Sequence, residues 1–127
     1  MKKILLAGVF AALGAGAAMA DPVEGVWKTQ VDDGAYAHVT IAPCGSEYCG
    51  VISRTFNSDG EYQSENIGRK IVWDMEVRGG GSYKGGQIWQ PSTDKIYSSK
   101  MSLKGNVLKV SGCFGPICKK QTWNRVN

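Results

Sequence analysis

Few side chains in this chain are of the kinds that perform chemistry. It has one histidine, His38, and four cysteines among 127 residues. A catalytic histidine needs a pocket and a partner that orients its ring. Strand alternation instead places His38 on an outer, solvated face, between Tyr36 and Thr40. We therefore predict that the protein is not an enzyme, and no residue pattern indicates a cofactor.

Three polar motifs are explained better as turns than as sites. The paired acids Asp32-Asp33 precede a glycine and fit a hairpin turn, whereas acid–base catalysis needs two carboxyl groups held across a cleft. The segment Asn57–Glu61 resembles a calcium loop in composition but lacks the ligand spacing and distal Glu of an EF-hand. Gly79–Gly81 is followed by a predicted strand and not by a helix, so it does not fit a phosphate-binding loop.

The first twenty residues have the features of a removable export signal. Met1–Lys3 is positively charged, residues 4–18 are apolar or small, and Ala18–Ala20 is a small-x-small cleavage site. The apolar run is too short and too rich in Gly and Ala for a membrane span. We predict that residues 1–20 are a cleaved secretory signal and that residues 21–127 form one domain, periplasmic or secreted.

The segment after the predicted signal is close to neutral. Lys2 and Lys3 leave with the signal, so 13 Lys and Arg residues face 11 Asp and Glu residues, a net charge of +2. This balance gives no electrostatic footprint for nucleic acid or an anionic membrane, and we predict neither as a partner. The first cysteine after the cleavage site is Cys44, which predicts no lipid anchor, and no later run has the ~18 apolar residues of a membrane span.

The four cysteines form two pairs with the same spacing. Four residues separate Cys44 from Cys49, and four separate Cys113 from Cys118. An even number of cysteines in a small exported chain indicates disulfides, although four cysteines allow three pairings. The matched spacing favours two local bonds, Cys44–Cys49 and Cys113–Cys118. Zinc is the alternative, but no histidine lies near either pair and the spacing is at the edge of the zinc-ligand range, so we predict no metal.

Short β-rich runs alternate with turn residues at roughly ten-residue spacing, which predicts an all-β fold. Asn57–Arg69 is the one long connection, and its polar composition predicts an exposed loop. The eight predicted strands are Gly25–Thr29, Ala35–Ala42, Cys49–Phe56, Lys70–Arg78, Tyr83–Trp89, Lys95–Leu103, Asn106–Gly112 and Lys119–Val126.

The short connections favour an eight-stranded antiparallel up-and-down barrel, which closes on itself and has no exposed edges. A two-sheet sandwich is the main alternative. Gly85-Gly86 within a predicted strand indicates a bulge or a bend.

Apolar side chains on the predicted inner faces are candidates for a ligand pocket. Eight strands enclose a space that side chains fill or that holds one small ligand. In the fourth strand, alternation places Ile71, Trp73, Met75 and Val77 on the inner face. The candidate pocket residues at the open end are Trp73, Met75, Ile88, Tyr97 and Met101, with Gln121 as an inward polar group.

The first and last strands carry residues that resemble the lipocalin superfamily. Gly25-Val26-Trp27 matches a G-x-W motif, and Trp123-Asn124-Arg125 lies on the final strand. The resemblance implies that Trp27 forms a structural floor across the barrel and that Arg125 packs over it. A guanidinium stacks favourably on an indole while donating to nearby carbonyls.

Six further motifs are spread over the chain after the predicted signal. They are Ile41-Ala42-Pro43-Cys44-Gly45, Cys49-Gly50-Val51-Ile52, Gly85-Gly86-Gln87-Ile88-Trp89-Gln90-Pro91, Lys95-Ile96-Tyr97, Gly112-Cys113-Phe114-Gly115-Pro116 and Gln121-Thr122-Trp123-Asn124-Arg125. Together they resemble the domain-of-unknown-function 2147 family of exported bacterial proteins, over nearly all of residues 24–126. The resemblance implies a lipocalin-like barrel and no assigned activity.

Two functional hypotheses follow. In the first, the barrel binds a small, largely apolar molecule and performs no chemistry on it. In the second, the interior is filled, and loops held by the two disulfides contact another envelope protein or inhibit an enzyme. The aromatic residues favour the first hypothesis, and the small size of the domain with its bulky Trp side chains favours the second.

Overall fold

The computed structural model describes residues 20–127, and these residues form nine β-strands. The predicted export signal lies outside the described residues except for Ala20. Within the described part of the chain, no helix is long and apolar enough to cross a membrane. The strands are β1 (Gly25–Lys28), β2 (Tyr36–Cys44), β3 (Glu47–Asn57), β4 (Gly60–Tyr62), β5 (Lys70–Gly79), β6 (Ser82–Gln90), β7 (Lys95–Lys104), β8 (Val107–Phe114) and β9 (Ile117–Arg125).

Eight of these strands close into a barrel. Each pairs antiparallel with the next in chain order, apart from the short β4, and β1 pairs with β9 through Trp27 and Arg125. Closure leaves no unpaired barrel edge, because β2 pairs with both β1 and β3. The prediction of an eight-stranded antiparallel up-and-down barrel is confirmed.

The ninth strand lies in the connection that was predicted to be an exposed loop. β4 pairs with the end of β3, Thr55 opposite Tyr62 and Asn57 opposite Gly60. The Oδ1 atom of Asn57 accepts the backbone N–H of Asp59 at 2.9 Å, which stabilises the turn locally. The loop prediction was wrong for residues 60–62, because the polar run Asn57–Gly60 is the turn of a hairpin.

The two ends of the barrel differ. We call the end that carries the β1–β2, β3–β5, β6–β7 and β8–β9 connections the open end. The other, the closed end, carries the remaining turns and the segments 21–24 and 126–127. Both predicted disulfides are confirmed, and they lie at opposite ends: Cys44–Cys49 at the closed end and Cys113–Cys118 at the open end.

The predicted alternation fails along β5. Its pairing with β3 shifts on both sides of Gly50, and Asp74 has a left-handed φ of 58°. These irregularities change which side chains point inward. Val72 is buried, Trp73 is only half-buried and Val77 is 48% exposed, so the predicted inner face was wrong for Trp73 and Val77.

The predicted irregularity at Gly85-Gly86 is confirmed. Gly85 has a φ of 78°, and the pairing of β6 with β7 shifts between Tyr83 and Gly86. A Cβ atom at Gly86 would lie 2.6 Å from the Sδ atom of Met75. Glycine at residue 86 therefore lets β6 approach β5 next to the side chain of Met75.

The core fills the closed half of the barrel. Its largest fully buried side chains include Trp27, Trp123, Tyr83, Met75 and Leu108. A Cβ atom at the inward-facing Gly50 would lie 2.7 Å from the side chain of Val39, so this half has no spare volume.

Candidate functional site

The open end of the barrel contains a cavity of about 730 Å³. Apolar side chains from five strands form its inner wall, because inward positions alternate along each strand. Loops from the open end surround its mouth. The residues of the inner wall include Ala37, Ile52, Ile71, Ile88 and Tyr97.

Three of the six predicted pocket residues line this cavity. Ile88 and Tyr97 face each other across the β6–β7 pair, and Gln121 reaches the cavity from β9. Because β6 and β7 are neighbours and only β8 separates β7 from β9, inward positions near the open end bring the three side chains to one cavity.

The other three predicted pocket residues do not line it. Met75 and Met101 are buried in the closed half, where Met101 pairs with Tyr83. Trp73 lies on the outer wall, and its indole N–H donates to Oε1 of Gln87 at 2.9 Å. Sequence alternation assigns a face but not a depth along the barrel axis, which explains the two methionines, and the irregular β5 explains Trp73.

Gly112 marks the boundary of the open volume. It lines the cavity, and a Cβ atom added to it would meet Ile88 at 3.4 Å and Tyr97 at 3.7 Å, both ordinary contacts. Gly50 and Gly86, in contrast, have neighbours below 3.0 Å. A larger side chain at residue 112 would therefore extend into free space, while one at 50 or 86 would collide with the core.

Two threonine hydroxyls of the wall already take part in one hydrogen bond each. Thr29 Oγ1 accepts the backbone N–H of Ala37 at 2.9 Å, and Thr55 Oγ1 donates to the backbone oxygen of Tyr62 at 2.6 Å. Thr29 therefore keeps its O–H as a donor, whereas Thr55 keeps only acceptor capacity.

Gln121 and Ser99 differ from the threonines. Gln121 Oε1 accepts the indole N–H of Trp123 at 2.6 Å, which leaves the amide NH₂ group of Gln121 as a donor at the cavity. Ser99 pairs with Gly112 across β7 and β8, and its buried Oγ has no hydrogen-bond partner among the described residues. A buried hydroxyl without a partner is uncommon and costs free energy.

The mouth of the cavity is braced from two sides. Asp32, in the β1–β2 loop, accepts hydrogen bonds from Gln90 at 3.1 Å and Ser92 at 2.7 Å. On another side, the indole N–H of Trp89 donates to Asp94 at 2.8 Å, and the guanidinium of Arg69 lies 3.7 Å from the centre of the Trp89 ring. These contacts hold three connections in place around the opening.

Exposed apolar side chains around the mouth were not predicted. Val31, Tyr62, Phe114 and Ile117 all line the opening and are exposed. Phe114 and Ile117 flank the two-residue turn inside the Cys113–Cys118 pair. Side chains that flank a tight turn at the tip of a hairpin have no neighbouring strand residues to pack against. The Gly115-Pro116 turn between the two cysteines could therefore have predicted that Phe114 and Ile117 are exposed.

Trp27 and Arg125 lie in contact at the closed end. Trp27 is fully buried and donates its indole N–H to the backbone oxygen of Val23 at 2.9 Å. The guanidinium of Arg125 lies 4.3 Å from the centre of the Trp27 ring. It also donates to Asn106 Oδ1 at 2.9 Å and to the backbone oxygen of Glu24 at 3.1 Å.

Two tyrosines tie the N-terminal segment across the same end. Tyr83 donates its hydroxyl to the carboxylate of Asp21, and Tyr48 donates to Glu24 at 2.8 Å. Burial and the hydrogen bond to Glu24 raise the pKa of Tyr48 to about 12. Burial, with the hydrogen bond to Asp21, also raises the pKa of Tyr83 above its ordinary value, so both hydroxyls stay protonated as donors.

His38 lies on the outer wall, away from the cavity. Its ring centre is 4.7 Å from that of Phe56, which itself stacks on Tyr36 at 4.8 Å. Partial burial and the nearby Arg54 and Lys28 lower the pKa of His38, so its neutral form is favoured. Within residues 20–127, no three His, Cys, Asp or Glu side chains gather as metal ligands.

A closed eight-stranded barrel with Trp27 and Arg125 packed at one end and a cavity at the other is a lipocalin-like fold. The chain belongs to the family described as "Uncharacterized protein conserved in bacteria (DUF2147)", whose sequence pattern matches residues 25–125. The fold is similar to that of protein HP1028 from Helicobacter pylori, which is described as belonging to the lipocalin family. The TM-score is 0.66 at 19% identity, over 85% of each chain. No curated protein matches the sequence.

Proposed function

We propose that this protein is an exported carrier that binds a small, largely apolar molecule in the open-end cavity and performs no chemistry on it. The cavity carries the proposal. Its volume of about 730 Å³ lies within the range of small-molecule sites, and its inner wall is mostly apolar with a few polar groups. We propose Ile88, Tyr97 and Gln121 as ligand contacts. The lipocalin-like fold is consistent with this use but does not establish it.

The polar groups suggest where the ligand's polar atoms lie. The free NH₂ group of Gln121 suits an acceptor such as a carbonyl or carboxylate oxygen. Ser99, whose hydroxyl has no partner, is opposite the cavity-lining Gly112 but does not itself line the cavity, so we propose no ligand contact for it. We therefore propose an amphipathic ligand whose apolar part contacts Ile88 and Tyr97.

Substitutions at Gly112 test the proposal directly. Gly112→Phe should place an aromatic ring in the cavity beside Ile88 and Tyr97 and obstruct a ligand there, whereas Gly112→Ala adds only a methyl group in ordinary contact with the same two residues. With dansyl-labelled undecanoic acid as the probe, we expect unchanged affinity for Gly112→Ala. We expect at least a tenfold loss for Gly112→Phe, which is about 1.4 kcal/mol.

The unfolding midpoint of both variants serves as the control for folding. A folded Gly112→Phe protein that binds the probe as well as the native chain would exclude the cavity as the binding site. Absence of binding to apolar probes by the native protein would instead favour the alternative, a barrel that acts through contacts with another protein.

Export is the second part of the proposal. The two disulfides are typical of proteins from an oxidising compartment. Cleavage after Ala20 would leave Asp21 as the first residue, and Asp21 accepts the hydrogen bond of Tyr83 at the closed end. The intact mass of the exported protein should lack residues 1–20; a retained signal would contradict this part of the proposal.

A further inference from the structure

The exposed apolar side chains at the open end gather around β7 to β9. Phe114 is 80% exposed and Ile117 is 69% exposed, and the two residues pair at the tip of the β8–β9 hairpin. Ile96, on the adjacent β7, and Val31, in the neighbouring β1–β2 loop, are also more than half exposed. A cluster of large exposed apolar side chains is typical of an interaction site, whereas single exposed apolar residues are common on protein surfaces.

The hairpin tip is held so that these side chains cannot fold inward. Cys113 and Cys118 are paired across β8 and β9 and joined by a disulfide directly below Phe114 and Ile117. Gly115 has a φ of 59°, and Pro116 follows it in the tight turn. The covalent cross-link therefore fixes the direction in which the two apolar residues project.

The near-neutral net charge conceals a strong separation of charge along the chain. Residues 21–81 contain ten Asp and Glu residues and five Lys and Arg residues. Residues 82–127, which form β6 to β9, contain eight Lys and Arg residues and only one acid, Asp94. One half of the barrel wall is therefore basic, and the apolar hairpin tip belongs to that half.

Several lysines lie close to the apolar tip. Lys119 and Lys120 follow it on β9, and Lys120 is opposite Ser111, whose other neighbour is Lys100. Lys95 precedes Ile96. The two ion pairs among residues 20–127 are Arg54–Glu61 and Arg78–Glu76, so none of these lysines takes part in one.

Six acids lie in the open-end connections, but five of them belong to the β1–β2 and β3–β5 connections and only Asp94 lies within β6 to β9. Asp94 accepts the indole N–H of Trp89, and Asp32 accepts from Gln90 and Ser92. Asp33 is adjacent and exposed. The lysines of β9 have no acid within their own β8–β9 hairpin and form no ion pair among the described residues.

We propose that the open end docks on an anionic lipid surface. Phe114 and Ile117 enter the interfacial region, while Lys119, Lys120 and Lys95 contact lipid phosphates. Lysines near an anionic bilayer and apolar side chains in its interface act together in this way. A free phosphate would engage the lysines and leave the apolar tip in water, so the combination favours a bilayer. The inference extends the proposed function, since docking would turn the cavity mouth toward a source of amphipathic ligand.

Vesicle flotation of the disulfide-intact chain tests the proposal. We expect binding to phosphatidylcholine vesicles that contain phosphatidylglycerol, little binding to phosphatidylcholine alone, and weaker binding at high salt. Phe114→Ser with Ile117→Ser should reduce vesicle binding about tenfold or more, as should Lys119→Glu with Lys120→Glu. Unfolding midpoints control for folding.

Lys84→Glu with Lys104→Glu is the matched control, because it changes the net charge equally but places the change toward the closed end. We expect this control to retain most of the binding. The proposal would be overturned if the two lysine double variants lost vesicle binding equally. Unchanged vesicle binding after substitution of Phe114 and Ile117 would also overturn it. Displacement from vesicles by inorganic pyrophosphate beyond the effect of salt at the same ionic strength would also overturn it, since it would indicate a phosphate site.

The docking test is separable from the test of the cavity. Gly112→Phe should lose the dansyl probe and keep vesicle binding. Lys95→Glu with Ile96→Ser changes residues outside the cavity lining, so it should weaken vesicle binding and keep the probe. If vesicles fail to bind while the probe still does, docking is excluded and the carrier proposal stands; the reverse result excludes the carrier proposal alone.

Discussion

The guanidinium of Arg125 lies 4.3 Å from the centre of the Trp27 ring, across the pair that joins the last strand to the first. The two residues pair where β1 meets β9, and the same two side chains pack together at the closed end. The same guanidinium donates to the backbone oxygen of Glu24, so it also ties the segment before β1 to the end of β9. One side chain therefore joins the barrel seam, the Trp27 ring and the segment before β1.

Replacing the floor tryptophan should destabilise the fold strongly. Trp27→Ala removes a fully buried side chain, the stacking partner of Arg125 and the donor to Val23, so we expect a loss of about 3 to 5 kcal/mol. Urea unfolding measures it. Trp73→Ala is the matched control, since Trp73 is half-buried on the outer wall and should cost clearly less. Equal losses would contradict the assignment of Trp27 as the floor.

The stability of the protein should depend on pH through His38. Because its pKa is lowered in the folded protein, the unfolded chain binds the proton more readily. Well above pH 6.5, the ordinary pKa of histidine, this group does not affect the free energy of unfolding. As the pH decreases below 6.5 toward the lowered pKa of the folded state, the free energy of unfolding falls. Unfolding of His38→Gln from pH 5 to 8 should lack this component. An unchanged pH profile would show that other groups cause it.

Removing a hydroxyl group should affect the free energy of unfolding differently at Ser99 and at Thr29. Ser99→Ala removes a buried hydroxyl without a partner, so we expect stability to stay level or rise by about 1 kcal/mol. Thr29→Val removes the acceptor of the buried Ala37 N–H and should cost about 1 to 3 kcal/mol. Thermal and urea unfolding compare the two variants. A clear loss for Ser99→Ala would mean that its hydroxyl is satisfied in solution, for example by bound water.

The two disulfides should each contribute modestly to stability. Both close short loops, and for such loops the chain-entropy effect is about 2 kcal/mol. Cys113→Ser with Cys118→Ser should therefore remain folded but show a lower unfolding midpoint. Thiol titration of the wild-type protein, unfolded without a reductant, should detect no free cysteine. Any free thiol would contradict the pairing.

The fold could be predicted from the sequence because its determinants are local. Strand alternation, turn residues and equal cysteine spacing all operate within about ten residues, and they predicted the barrel and both disulfides. The positions of Trp73 and Val77 were mispredicted because Asp74 adopts a left-handed conformation and the β3–β5 pairing shifts, and neither feature has a mark in the alternation pattern.

The candidate site was harder to predict, because depth along the barrel depends on pairing between distant strands. Met101 and Tyr97 lie on the same face of β7, yet only Tyr97 reaches the cavity. The prediction against an anionic membrane as partner depends on the net charge. It sums over both halves of the barrel, whereas a partner meets only the surface of one half.

Native and denaturing mass spectrometry of protein purified from its own exported compartment tests the carrier proposal most directly. The folded protein should carry a discrete additional mass that is lost on unfolding, and Gly112→Phe, purified in the same way, should lack it. Gly112→Ala should retain it. A native protein without any adduct, including after incubation with fatty acids and other apolar metabolites, or an adduct that persists in folded Gly112→Phe, would contradict binding in the cavity.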